Sequence, residues 1–281
     1  MAEEKKTIQE ILKFSILNID KPTGPTSFSV SDFVRRKLGL KKTSHFGTLD
    51  PQVTGVLPIA LGRACKLTGF FLGHDKTYVG IMHVHKDMEM KELQEIINKK
   101  FLGKIKQLPP KKSSVKREIR EREIKSFELV EKDERDFLFK TKVQGGTYIR
   151  KLVSDLGEEI GGAHMTELRR TNAGIFSEND REFVNLYDFE RAVEEWEAGN
   201  EEKLRKMLVP AEEAIKKTIE HVECKKESVK KLLTGKPVFA NDLKSEPEND
   251  IYAIFSERRF IEIARRVKED DIVARPEFVL N

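Results

Sequence analysis

The chain has 281 residues, of which 36% are charged and 38% hydrophobic, with 52 Lys and Arg against 48 Asp and Glu. This composition excludes a polycation, a chain too polar to fold and a protein built from long membrane-spanning segments. The charge is uneven, because residues 99–125 contain eleven Lys or Arg and three Glu, a local charge of +8, whereas the rest of the chain sums to −4. A basic strip on a slightly acidic chain indicates a surface that meets a polyanion.

Two cysteines, Cys65 and Cys224, are too far apart in the sequence to form a Cys-x-x-Cys pair. The motif of a zinc ribbon or a dithiol redox site is therefore lacking, and the cysteine usage fits a reducing, intracellular setting. Residues 1–13 mix Glu, Lys and single apolar residues, unlike a signal peptide, and no apolar run is long enough to span a bilayer. We expect a cytosolic protein without membrane contact.

The first sixty residues predict a strand, a helix and a loop. Residues 16–20 have the apolar character of a strand and lead into 21–25, a turn with two prolines and a glycine. A helix then begins at a Thr-Ser cap and ends near Gly39. Residues 44–58 show no periodicity and contain two glycines and two prolines, which predicts a loop.

Further along, strands and helices are interspersed without regular alternation. The apolar patterns predict strands at 78–84 and within 127–143, and helices at 92–101, 149–160 and 186–196. After Pro210 the composition changes, and short β-like segments at 251–255, 260–267 and 278–280 indicate a small second module. Strands dispersed in this way favour an α+β fold over a doubly wound sheet.

The predicted loop holds a single carboxylate among apolar residues. Asp50 precedes Pro51, which restricts the Asp50 backbone to extended angles, and Leu49, Val53 and Val56 are apolar enough to bury the surroundings. A fixed carboxylate in a dry site can act as a nucleophile or base without a metal. An Asx turn is the commoner role of an Asp-Pro pair, so the residues alone leave both interpretations open.

Five short motifs resemble those of the TruB family of pseudouridine synthases, in the family's order. They are residues 47–58 around Asp50, the opening motif 18–27, the tyrosine strand 76–79, the arginine motif 146–150 and the Leu-Arg-Arg motif 162–170. Residues 82–85, 109–117 and 163–171 are similar to the archaeal and eukaryotic dyskerin-like branch, the catalytic subunit of H/ACA guide-RNA particles. Ser44 and Phe46 depart from the small residues usual beside His45.

The resemblance implies a fold and a domain organisation. Residues 12–210 would form an α+β catalytic domain with a mixed, mainly antiparallel sheet flanked by helices. Residues 219–281 resemble a shortened form of the β-rich PUA domain, which binds RNA.

The resemblance also implies roles for the site residues. Asp50 is the catalytic aspartate, which detaches uracil from C1′ and lets it rejoin through C5, and Arg150 keeps that carboxylate ionised and oriented. Tyr78 stacks on the flipped base, and Leu168 is an apolar wall of the same pocket. Without the resemblance, Arg150 would be an exposed charge at a helix start, and Tyr78 and Leu168 would be core residues.

Other polar residues have less defined roles. Lys21 is expected to support the site or to contact phosphate, the alternative being a solvated turn lysine, and His45 is expected to line the RNA path. His83 and His85 lie on one side of a strand, but no third ligand is apparent in the sequence, so no metal site is predicted. An isomerisation needs no cofactor, and none is expected, since the sequence lacks nucleotide-binding motifs.

The basic strip contains Lys111, Lys112, Lys116 and Arg117 just after two prolines. These residues are predicted to form an exposed loop or hairpin that closes over RNA, as the family's thumb loop does, with phosphate contacts supplying salt-dependent affinity. The alternative is the solvated face of a charged helix at 118–125.

Three functional hypotheses follow. The first is a guide-dependent RNA pseudouridine synthase within an H/ACA particle, acting on rRNA and also on the TΨC-loop uridine of tRNA. The second is a stand-alone tRNA enzyme of the TruB type, and the third is an inactive RNA-binding scaffold. The expected partners are substrate tRNA or rRNA, a guide RNA and small accessory proteins. The expected location is cytoplasmic in an archaeon and nucleolar in a eukaryote.

Overall fold

The computed structural model describes residues 6–109, 116–269 and 271–281, and these form two β-sheets with helices around them. The strands of the larger sheet are β1 (Phe14–Lys21), β2 (Thr43–His45), β3 (Thr54–Gly62), β4 (Lys76–Val84), β5 (Gly103–Gln107), β6 (Arg120–Asp133), β7 (Asp136–Val143), β8 (Ala163–Ala173), β9 (Phe176–Ser177), β10 (Phe183–Asn185) and β11 (Leu208–Pro210). Its main order is β10-β1-β3-β8-β4-β7-β6-β5. Only the β1/β10 and β3/β8 pairs among these are parallel.

The smaller sheet follows in the sequence. Its strands are β12 (His221–Glu223), β13 (Val238–Phe239), β14 (Ile251–Ser256), β15 (Arg259–Glu269) and β16 (Ile272–Val279). It packs against the larger sheet through aromatic side chains, with the Phe14 ring 5.6 Å from Phe260 and 5.9 Å from Phe278. Phe14 begins β1, so the two sheets share part of one apolar core.

Nine α-helices lie in the described part of the chain. They are α1 (Ile8–Lys13), α2 (Ser27–Lys37), α3 (Thr68–Leu72), α4 (Met90–Lys100), α5 (Ile149–Ile160), α6 (Leu186–Glu197), α7 (Glu202–Met207), α8 (Ala211–Thr218) and α9 (Val229–Leu232). None of these described helices combines the length and the apolar character needed to cross a membrane.

Local sequence explains the elements that surround the site. The Thr26 hydroxyl caps α2 by accepting a hydrogen bond from the Ser29 amide. Helix α5 buries Leu152, Val153 and Leu156 on one face, and it ends at Gly161, whose φ of 86° is left-handed. The α+β prediction is confirmed, and so is the mixed, mainly antiparallel sheet.

The parallel junction of β3 and β8 lies at the centre of the larger sheet. Thr54 pairs there with Arg169 and Gly55 with Arg170. Gly55 has a φ of +100°, and a Cβ at this position would lie 2.2 Å from the Arg170 carbonyl oxygen. The close approach therefore requires glycine, and it brings the segment before β3 onto the Leu-Arg-Arg motif of β8.

Two expectations about secondary structure are wrong. The predicted loop at 44–58 is a loop only between β2 and β3, because residues 54–58 begin the central strand β3. The prolines in this segment argued against a strand, yet Pro58 lies within β3 and pairs with Asn18 of β1. The helical alternative for 118–125 is also wrong, since β6 begins at Arg120 and pairs with β5.

Candidate active site

The loop between β2 and β3, residues 46–53, presents Asp50 to solvent. Its backbone forms a turn in which the Val53 amide donates to the Asp50 carbonyl at 3.0 Å, with Pro51 at the second position. The Asp50 carboxylate accepts a hydrogen bond from Arg150 Nη1 at 3.2 Å. This turn is closed by main-chain atoms, whereas an Asx turn would be closed by the Asp50 side chain, which contacts Arg150 instead.

The Asp50 and Arg150 side chains are more open than expected. They are 54% and 61% exposed, so the carboxylate does not lie in a dry site in the chain alone. An exposed pair of this kind contributes little to stability. A substrate that covered both groups would lower the local dielectric and strengthen their interaction.

Arg150 is positioned by the first turn of α5 and by a side chain that the sequence motifs did not single out. Gln107, at the end of β5, is 1% exposed. Its Oε1 accepts from the Tyr148 amide at 3.0 Å and its Nε2 donates to the Tyr148 carbonyl at 3.2 Å. Gln107 thus fixes the backbone two residues before Arg150. Its role is visible in the structure as a buried polar side chain at the end of a largely exposed strand.

Lys21 lies beneath the Asp50 loop and is fully buried. Its ammonium donates to the carbonyls of Pro22 at 2.8 Å, Pro51 at 3.1 Å and Val53 at 2.9 Å. Burial lowers the pKa of Lys21, and the nearby negative charge of Asp50 partly opposes that shift. Its position is that of a side chain supporting the loop, which contradicts the alternative of a solvated turn lysine.

A second buried cation, Arg170, holds the two ends of the same loop. Its Nη2 donates to the Gly47 carbonyl at 3.0 Å and its Nε to the Val56 carbonyl at 2.8 Å. Burial lowers the pKa of Arg170, and interaction with the Tyr78 hydroxyl partly offsets this shift. The Leu-Arg-Arg motif contains Arg170, but no pattern in the sequence assigned it this contact.

A third buried cation, Lys76, lies next to Arg170. Burial, and then the charge of Arg170, lower the pKa of Lys76 to about 8. Its ammonium donates to the carbonyls of Leu72 at 2.6 Å and His74 at 2.5 Å. Lys21, Lys76 and Arg170, which we call the buried cations, thus all donate to main-chain carbonyls, and Lys21 and Arg170 do so within the Asp50 loop and its flanks.

Tyr78 and Leu168 lie on neighbouring strands and are both nearly buried, with 8% and 7% exposed. Tyr78 pairs with Arg170 across β4 and β8, and Gly80 pairs with Leu168. A Cβ at Gly80 would lie 3.0 Å from Leu168 Cδ1 and 2.8 Å from the Glu167 carbonyl oxygen. Glycine at this position therefore leaves room for the Leu168 side chain. The substrate-binding roles of Tyr78 and Leu168 stay predictions.

His45 is half-buried at the end of β2. Its Nε2 lies 3.2 Å from the Thr48 hydroxyl. Burial, and secondarily the charge of Arg170, lower the pKa of His45, which favours the neutral ring. The two departures beside it are structural: Phe46 stacks on Phe71 at 4.8 Å, and the Ser44 hydroxyl accepts from Thr68 at 3.1 Å.

The basic strip reaches this site through its C-terminal part. Lys111 and Lys112 lie outside the described residues, whereas Lys116 and Arg117 are exposed and Lys116 pairs with Glu118. On β6, Arg122 Nε donates to the Gly146 carbonyl at 3.1 Å. The end of the strip therefore lies beside the arginine motif that carries Arg150.

A histidine cluster lies elsewhere on the sheet. The His164 ring is 5.3 Å from both His83 and His85, and His83 Nδ1 is 2.8 Å from Asp136. Across the residues described here, no group of three or more His, Cys, Asp or Glu is arranged to hold a metal ion.

Comparisons with known proteins place this geometry in a family. The model of the TruB family pseudouridylate synthase N-terminal domain matches residues 35–149, and that of the tRNA pseudouridylate synthase B C-terminal domain matches 150–216. A probable tRNA pseudouridine synthase B from Methanopyrus kandleri is 43% identical over 90% of this chain and 75% of its own length. Its counterpart from Nanoarchaeum equitans is 46% identical over 75% of this chain and 60% of its own length. The chain thus spans about 60 to 75% of these relatives.

Solved structures agree with this match. A Cbf5-Nop10-Gar1 complex contains a chain that superposes with a TM-score of 0.89 at 34% identity, covering 98% of this chain and 87% of that one. An H/ACA RNP bound to a substrate RNA containing 2′-deoxyuridine gives a TM-score of 0.88 at 32% identity, covering 99% and 88%. On its motifs, its fold and these matches, the chain belongs to the TruB family of pseudouridylate synthases.

Proposed function

We propose that this chain isomerises uridine to pseudouridine in RNA as the catalytic subunit of an H/ACA ribonucleoprotein that acts on rRNA. The observation that carries the proposal is the pairing of Asp50 with Arg150. Asp50 lies on a loop that Lys21 and Arg170 hold in place through hydrogen bonds. Tyr78 on β4 supplies an aromatic side chain, and Leu168 supplies an aliphatic one on β8, the strand that also carries Arg170. The TΨC-loop uridine of tRNA is a second substrate within the proposal.

The chemistry needs no atom from outside the substrate. The bond between C1′ and N1 of uridine breaks and a bond between C1′ and C5 forms. C5 loses its hydrogen and N1 gains a proton, so the composition of the nucleotide is unchanged. The Asp50 carboxylate acts at the sugar, and Arg150, which donates to it, orients it once RNA excludes water. The target base leaves its stack to reach Asp50, and the proposed role of Tyr78 is to stack on the extruded base.

Membership of an H/ACA particle is supported by the structural matches. Both matched complexes cover at least 98% of this chain, so the likeness includes the smaller sheet as well as the catalytic part. We propose that residues 219–281, with that sheet, are a short PUA-like module that binds RNA. Small accessory proteins of the kind in the matched complexes are the proposed protein partners.

A stand-alone tRNA enzyme is the second candidate, favoured by the names of the relatives, which are probable tRNA pseudouridine synthases B. An inactive scaffold is disfavoured because Asp50 is present and paired with Arg150.

One experiment separates the first two. Purified chain is incubated with unmodified tRNA and with an rRNA fragment, with and without a guide RNA and accessory subunits, and pseudouridine is mapped. We expect rRNA modification only in the assembled mixture. Modification of tRNA but not of rRNA, at a rate that the guide and the accessory subunits do not change, would favour the stand-alone enzyme. An absence of pseudouridine in every mixture would favour the scaffold.

A further inference from the structure

The most exposed large apolar side chain in the described part of the chain lies next to the Asp50 loop. Phe28, in the first turn of α2, is 72% exposed. A single exposed apolar residue needs no explanation by itself. Its significance comes from what fixes it to the site and from the charges around it.

Phe28 is held at a defined place relative to Asp50. The hydroxyl of its neighbour Ser27 accepts from the Leu49 amide at 2.8 Å and donates to the Leu49 carbonyl at 3.0 Å. The Gly24 amide donates to the Pro51 carbonyl at 2.8 Å. The residues on both sides of Asp50 are thus tied to the segment that carries Phe28.

This side of the site has almost no charge. Residues 22–31 contain no ionisable side chain, and residues 46–54 contain only Asp50. We call these two segments, apart from Asp50 itself, the uncharged lip. Pro22, Pro51 and Phe28 are all exposed on it.

Cations lie where the arginine motif meets the Asp50 loop. Arg150 pairs with Asp50, and Arg122 on β6 contacts the same motif. The exposed Lys116 and Arg117 precede β6. Phosphates of a bound strand would follow these cations. A strand whose phosphates lie on them can turn its bases toward the uncharged lip, where an exposed aromatic ring can stack on any base.

We propose that Phe28 stacks on the unpaired nucleobase immediately next to the target uridine in the substrate RNA. This inference rests on the proposed function, since it takes the ligand of the site to be RNA. It adds a binding residue on the uncharged lip to the pocket formed by Tyr78 and Leu168. Stacking holds the neighbouring nucleotide while the target base is extruded toward Asp50.

The test is a double-mutant cycle between Phe28 and the base. Binding is measured for a synthetic T-arm stem-loop of tRNA, intact or with an abasic nucleotide immediately 5′ or 3′ of the target uridine. The Asp50→Asn background prevents turnover. We expect one abasic substitution to weaken binding between about fivefold and a hundredfold. Phe28→Ala should weaken binding of the intact RNA by a similar factor and abolish the abasic effect, whereas Phe28→Trp should retain both affinity and abasic effect.

Val130→Ala is the matched control. Val130 is 56% exposed on β6, two strands beyond β4 in the sheet, and its truncation should leave the cycle unchanged. The proposal would be overturned if the abasic substitution weakened binding as much in Phe28→Ala as in the protein with Phe28. It would also be overturned if neither the 5′ nor the 3′ abasic nucleotide weakened binding to the protein with Phe28. Pseudouridine formation by the unsubstituted chain is followed in parallel on the intact stem-loop and on guide-paired rRNA, with the accessory subunits present. Its absence on both RNAs would refute the proposed function, whereas the binding cycle reports on Phe28 independently of turnover.

Discussion

Replacing Lys21 by methionine tests whether the buried cations position Asp50. Methionine fills a similar volume but cannot donate, so the carbonyls of Pro22, Pro51 and Val53 lose the donor that now lies 2.8 to 3.1 Å away. A buried acceptor left without a donor costs about 1 to 3 kcal/mol. Removing a buried charge recovers part of that cost, since burial already disfavours the ammonium.

The net decrease in the free energy of unfolding is therefore expected to be about 2 to 4 kcal/mol. The effect on catalysis should be separate and larger. Two of the three carbonyls follow Asp50 in its own turn, and a displacement of about 1 Å at a reacting group lowers the rate about a hundredfold. We expect single-turnover pseudouridine formation to slow by at least that factor, with RNA binding nearly unchanged.

The assay compares Lys21→Met with Lys41→Met, whose side chain is exposed. Urea denaturation gives the stability of each variant, and circular dichroism confirms that it is folded at the assay temperature. Single-turnover rates are then measured with saturating enzyme. A folded Lys21→Met protein that reacts within threefold of the unsubstituted chain would refute the positioning role, even if its stability falls as expected.

Three more outcomes are expected. Arg150→Ala should change the free energy of unfolding by less than about 1 kcal/mol, because the pair is exposed, yet slow pseudouridine formation strongly. A rate that falls only as far as the loss of folded protein accounts for would contradict this. Burial raises the pKa of Glu262 to about 8 from an ordinary 4.5, so the folded state holds its proton more tightly and stability should fall between pH 5 and 8, by up to about 1.4 kcal/mol per pH unit. Glu262→Gln should remove this component in urea titrations across that range, and an unchanged pH dependence would exclude it. Replacing Lys116 and Arg117 by alanine should flatten the salt dependence of RNA binding by about 0.7 to 0.9 for each phosphate that these side chains neutralise; an unchanged slope would show that they do not bind phosphate.

Sequence patterns predicted the elements whose apolar residues face one core. The helix at 149–160 was placed correctly because a continuous apolar face and a terminal Gly-Gly pair mark it unambiguously. The strand β4 was predicted from alternating apolar residues, although its buried face also contains Lys76 and Tyr78. The strand β8 was missed, since its charged Leu-Arg-Arg motif hides the pattern of burial.

The candidate site divides along the same line. Asp50 and Arg150 were predicted to be partners from the family resemblance of their motifs, and their side chains do meet at 3.2 Å. The contacts that hold the loop were not predictable, because they join side chains to main-chain carbonyls. Arg170 reaches Gly47 across 123 positions of the sequence, and no spacing rule relates an arginine to a carbonyl at that separation. Gln107 was missed for the same reason.

The central claim is that the Asp50 carboxylate performs the isomerisation. Its most direct test is pseudouridine mapping on unmodified tRNA and on guide-paired rRNA with the unsubstituted chain and with Asp50→Asn, in mixtures that contain the accessory subunits. Asparagine keeps the shape of the side chain and can still accept a hydrogen bond from Arg150. We predict that Asp50→Asn binds both RNAs as tightly as the unsubstituted chain and forms no pseudouridine. Pseudouridine formed by Asp50→Asn at a rate near that of the unsubstituted chain would contradict this claim.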